Sequence, residues 1–110
     1  MNHYLKLYLV AVEHPEVSGF EQLEMLLVRD QLAEQESLLT AEEKAQLAIA
    51  DQRLIERANK FYTELARITN LKSERQHRQP DPRQWWWYLD VLTYLPTLPL
   101  PASTPELTTR

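Results

Sequence analysis

The sequence predicts an all-α protein, on three observations. Gly19 is the single glycine among 110 residues, whereas all-β and dinucleotide-binding α/β folds rely on glycine for tight turns and phosphate loops. Two segments, Ser18-Gly19-Phe20-Glu21 and Thr40-Ala41-Glu42-Glu43, read as capping boxes. In that motif the hydroxyl accepts from the third helical amide and the glutamate reaches back. Finally, Leu47, Asp51, Leu54, Ala58, Phe61, Leu65 and Ile68 alternate spacings of four and three, which aligns them along one helical seam.

Each element follows from local signals. Asn2 can cap a first helix that runs to about His14, where Pro15 stops it. Leu5, Leu7 and Leu9 in this segment also alternate as in a strand. A strand would need its own copy in a dimer as partner, so helix is preferred. The second helix starts after Ser18 and reaches about Ser37. It carries two apolar stripes: Phe20, Leu23 and Leu27 on its first half, and Met25, Val28, Leu32 and Leu39 along its length. The third helix starts after Thr40 and continues without glycine or proline to about Asn70, a length of roughly 43 Å at ~1.5 Å per residue. A link of about three residues between these two helices makes them antiparallel neighbours.

Residues 71–80 read as a polar, basic connector. Asp81-Pro82 supplies an N-cap followed by proline at the first helical position, so a further helix is expected from Pro82 to about Tyr94. Beyond it, Pro96, Pro99, Pro101 and Pro105 stand among Thr, Ser and Leu, a composition that resists regular structure. The expected architecture is a long antiparallel helical hairpin with flanking N- and C-terminal helices near its open end. It forms one domain over residues 1–95, with an extended or disordered proline-rich tail over 96–110.

Composition narrows the chemistry. With no cysteine, disulfides, thiolate catalysis and cysteine-ligated zinc are excluded. The apolar runs Leu7 to Val12 and Trp85 to Leu89 are too short to span a bilayer. No signal-peptide pattern is visible, so the cytoplasm is the expected compartment. His3, His14 and His77 fall in separate segments without a second ligand at helical spacing, and no metal or other cofactor is expected. Ser18 serves as a cap, and no serine has a glycine-rich elbow beside it. Asp51 is the one carboxylate in the seam. A buried polar residue there fixes register or oligomeric state, or acts as a functional acid in an enclosed pocket. No catalytic residue is assigned.

Two groups of residues invite a binding role. The net charge of −4 conceals an acidic first half, with 3 Lys or Arg against 10 Asp or Glu over residues 1–52. Residues 53–83 reverse this, with 8 against 4. Arg53, Arg57, Lys60 and Arg67 repeat at helical spacing, and Lys72, Arg75 and Arg78 follow in the connector. Basic charge beside aromatic rings is a footprint of nucleic-acid binding. Complementarity with Glu21 and Glu24 of the facing helix explains the same residues more simply, and the acidic total argues against nucleic acid.

The consecutive Trp85, Trp86 and Trp87 span 200° of an α-helix at 100° per residue, wider than one packed stripe. Trp86 falls on the polar arc beside Asp90 and should remain exposed unless something else covers it, marking an interface with Trp85, Trp87, Val91 and Tyr94. Burial of all three rings within the monomer is the competing reading. The expectation is a non-catalytic protein-interaction module that forms a homodimer. Nucleic-acid binding is the alternative, and no small-molecule substrate is foreseen.

Overall fold

Asn2 begins the first helix as expected: its side-chain Oδ1 accepts from the amides of Tyr4, at 2.9 Å, and Leu5, at 3.1 Å. The structure is a computed structural model that describes residues 1–94. Within them the chain forms six α-helices and no strand: α1 (His3–Ala11), α2 (Gly19–Gln35), α3 (Ala41–Glu56), α4 (Ala58–Leu65), α5 (Leu71–Arg78) and α6 (Leu89–Thr93). Short 3-10 turns at Glu36–Leu38 and Trp85–Tyr88 precede α3 and α6. The all-α expectation holds. The tail expected over 96–110, and Leu95 of the expected domain, lie outside the described residues.

The two capping boxes behave differently. At Thr40 both bonds form, with the hydroxyl accepting from the Glu43 amide and the Glu43 carboxylate accepting from the Thr40 amide. At Ser18 the hydroxyl accepts from the Glu21 amide at 3.4 Å, but Glu21 turns its carboxylate to the Ser18 hydroxyl instead.

The arrangement differs from a two-helix hairpin. Asn2 Nδ2 donates to Gln35 Oε1 at one end of the α1/α2 pair, and Gln22 Nε2 donates to the His14 carbonyl at the other, so α1 and α2 run antiparallel. The Asn2 amide donates to Glu43, Tyr8 Oη to Asp51, and Arg57 to the Val12 carbonyl, so α1 runs parallel to α3. The first helix therefore covers α2 and α3 along its whole length rather than closing one end of them.

The single 43 Å helix expected from Thr40 to Asn70 is corrected to two. Arg57 leaves the helical region, with φ −106° and ψ 16°, and its guanidinium is occupied by the Val12 carbonyl at 2.9 Å and by Glu13 at 3.6 Å. Past the break, α4 packs on α2 and α6. The seam still describes what is buried: Leu47 and Leu54 of α3 and Ala58, Phe61 and Leu65 of α4 all lie in the core. Gly19 sits where α2 meets α4, so close that an added Cβ would lie 2.8 Å from Ile68 Cγ1 and would collide with the Glu64 carbonyl oxygen.

The connector is also corrected. Residues Leu71–Arg78 form α5, capped by Asn70 Oδ1, which accepts from the Ser73 amide at 3.0 Å. The helix ends on Gln79 in the left-handed region at φ 46°, a common way to satisfy the last carbonyls. The helix expected from Pro82 to Tyr94 is replaced by a turn at Asp81, the 3-10 turn through the tryptophans, and the short α6.

Candidate functional site

Three places carry chemistry or an uncovered surface: the tryptophan cluster, a buried ion pair, and a groove between α1 and α2. In the first, a 3-10 turn has three residues per turn rather than 3.6, which changes where successive side chains point. Trp86 Nε1 and Trp87 Nε1 both reach Asp30 Oδ1 of α2, at 2.7 and 2.9 Å, and Gln84 Nε2 joins them at 2.9 Å. Trp86 is 2% exposed and Trp87 1%. The expectation of an exposed Trp86 is thus corrected. It rested on α-helical spacing, and the polar arc it assigned is the side facing Asp30. Trp85 is half-buried with its ring edge-on to Trp86, centroids 5.7 Å apart. Val91 and Tyr94 are exposed.

The ion pair joins three helices. Arg29 of α2, 5% exposed, donates from Nε and Nη2 to the two oxygens of Asp51, both at 2.9 Å. Tyr8 Oη of α1 donates to the same carboxylate at 2.7 Å. The Arg29 guanidinium carbon lies 4.2 Å from the Trp86 ring centroid, so the cation is held by a carboxylate on its edge and an aromatic face. Burial, reinforced by the Asp51 charge and hydrogen bond, pushes the Tyr8 hydroxyl well above the usual phenol range. Burial opposes the Arg29 charge, but hydrogen bonding and attraction to Asp51 outweigh it and raise its pKa. Arg29 and Trp86 also border a shallow polar cavity of about 350 Å³ with Asp30, Asp81, Arg83 and Gln84. Asp51 is absent from that lining and has both oxygens engaged.

The seven basic residues singled out above do not form one free surface. Arg53 and Arg57 both pair with Glu13, Arg67 with Glu64 at 3.6 Å, Arg75 with Asp90 at 2.6 Å and Arg78 with Glu74 at 2.8 Å. Arg75 and Arg78 also cover the rings of Tyr88 and Trp87, at 4.5 and 4.6 Å. Lys60 and Lys72 are exposed. Glu13, rather than Glu21 or Glu24, is the acidic partner of Arg53 and Arg57. The Arg53 hydrogen bond is the main reason its carboxyl lies below the ordinary glutamate range.

The groove follows the antiparallel α1/α2 pair. It encloses about 600 Å³ and is walled by Leu7 and Val10 of α1 and Met25 and Val28 of α2. Leu7 and Val10 are exposed, at 46% and 59%. Hydrophobic periodicity placed the long stripe of α2 correctly, with Met25, Leu32 and Leu39 buried and Val28 packed against the core. It misplaced the short one, because two polar residues belong to the buried face. Gln22 donates to the His14 and Pro15 carbonyls, each at 3.2 Å, and Arg29 has Asp51. Their burial rotates the core face toward Leu26, and leaves Phe20 and Leu27 exposed. Sequence reasoning missed Tyr8, Arg29 and Asp30. A signal existed: Arg29 stands midway between Leu26 and Leu32 on one helical face, and the seam held an unmatched Asp51.

No family model matches the chain, and no curated protein or solved structure does either. No helix among the described residues is long and apolar enough to cross a membrane.

Proposed function

We propose that the chain is a non-catalytic protein-interaction module, and that its docking face is the α1/α2 groove rather than the tryptophan cluster. One observation carries this reading. The apolar walls Leu7, Val10, Met25 and Val28 frame a space of about 600 Å³, and two of them are exposed. Grooves of this kind accept the apolar face of a partner element. The other candidate surfaces support the reading by being occupied from within. Asp30 takes both inner indoles, Asp51 is engaged by Arg29 and Tyr8, and five of the seven basic residues hold carboxylates.

Affinity capture with the tagged full chain tests it. Val10→Asp places a charge on the exposed wall of the groove and should reduce the recovered partners by at least about tenfold, as expected for a residue at the centre of an interface. Trp85→Ala should leave recovery unchanged. Equal recovery by the wild type and Val10→Asp, both with intact circular dichroism, would defeat the proposal.

A further inference from the structure

The groove has two charged corners, and their placement identifies an occupant. His3 and Lys6 rise from the start of α1, and Glu21 and Glu24 from the start of α2, all four on the groove lining. Because the two helices are antiparallel, these starts lie at opposite ends of the groove and on opposite walls. The basic corner is therefore diagonal to the acidic corner. Neither Lys6 nor Glu24 has a side-chain ion pair or hydrogen bond among the described residues. The neighbouring Glu13, by contrast, is turned to Arg53 and Arg57, and His14 is paired with Glu16 at 3.1 Å.

We propose that the groove is filled by a second copy of this chain, with the two helix pairs crossing about a two-fold axis. This rests on reading the groove as a docking face. A two-fold interface presents one patch to itself and makes every contact twice, so only a self-complementary patch is suitable. A groove edged by one sign of charge would repel its copy. Here an axis lying in the plane of the surface, along the diagonal that joins the two uncharged corners, exchanges the charged ones. It sets Lys6 of each copy against Glu24 of the other, and seats Leu7 and Val10 of one α1 over the apolar walls of its partner. An axis along the other diagonal would set each charged corner on its own copy and stack like charges. An axis along or across the helices would set the charged corners against uncharged ones, so the crossed arrangement alone pairs Lys6 with Glu24.

Light scattering on the full chain at micromolar concentration tests the inference. The wild type should have twice the chain mass. Lys6→Glu and Glu24→Lys, each alone, should weaken the dimer about tenfold, because symmetry converts two attractions into two repulsions. The double variant Lys6→Glu/Glu24→Lys should restore it. A monomeric wild type, a dimer indifferent to the single reversals, or a double variant no better than its parents would each overturn the proposal. Circular dichroism separates these results from misfolding. A monomeric wild type whose partner capture is still lost in Val10→Asp would refute the second copy while leaving the docking role standing. A charge-swappable dimer whose Val10→Asp form captures partners and dimerises like the wild type would refute the placement of the groove at its centre.

Discussion

Asp30 is one carboxylate oxygen serving three donors. Its Oδ1 accepts from Trp86 Nε1, Trp87 Nε1 and Gln84 Nε2, and two of those donors belong to rings that are buried. A buried indole N–H with no acceptor costs about 1–3 kcal/mol, so Asp30→Ala should destabilise the fold by about 2–5 kcal/mol, counting both rings. Urea unfolding followed by tryptophan fluorescence measures it. A loss under about 1 kcal/mol would mean that the indoles find other acceptors. Asp30→Asn, which keeps a carbonyl acceptor, should cost less. The same residue shows what a linear pattern omits. The sequence marks Trp86 as polar-arc only if its segment is an α-helix, and the choice of a 3-10 turn depends on an acceptor more than fifty positions away. Arg29 and Asp51 are comparable: each looks misplaced on its own helix, and each is explained by the other.

Helices were legible where their signals are local. Asn2, Ser18 and Thr40 cap the helices their side chains announced, and the seam through Leu47, Leu54, Phe61 and Leu65 is the buried face. Helix interruptions and pairings were less legible, because distant contacts decide them. The break at Arg57 coincides with bonds to Val12 and Glu13, and the α5 segment Leu71–Arg78 is polar apart from Leu71, which anchors it in the core. The contact between α2 and α4 is the sharpest case, since it requires Gly19. Any Cβ there would collide with the Glu64 carbonyl, and backbone cannot swing aside as a flexible side chain can. Gly19→Ala should therefore destabilise the protein by about 1–3 kcal/mol, the usual cost of overpacking, despite alanine's better helix propensity. Ser18→Ala removes a cap on the same helix end and should cost about 1 kcal/mol. Thermal denaturation of the two variants distinguishes the effects. A neutral or stabilised Gly19→Ala would show that α2 and α4 sit farther apart than described.

At the scale of the whole molecule, acidic side chains clamp α1 to α3 at both ends. Glu43 accepts from the Thr40 amide and from the Asn2 amide at 2.9 and 2.8 Å, and those bonds hold its pKa below the ordinary glutamate range. Glu13, at the other end, is lowered chiefly by its hydrogen bond from Arg53. Glu74 of α5 is lowered by Arg78 first and by Thr69 next. A carboxyl group whose folded pKa is depressed binds fewer protons in the folded state than in the unfolded one. Its contribution is complete above the unfolded value of about 4.3 and disappears as pH falls through the lower folded value. Stability should therefore be flat near neutrality and decline below about pH 4.5. Glu43→Gln and Glu13→Gln should each be less stable than the wild type at pH 7, with a shallower acid decline, so that the curves converge at low pH. Urea midpoints measured from pH 7 to pH 3 provide the comparison. Because these two clamps hold the α1 wall of the groove, the same acid window should also loosen whatever the groove binds. Parallel acid slopes for the variants and the wild type would place the titrating groups elsewhere.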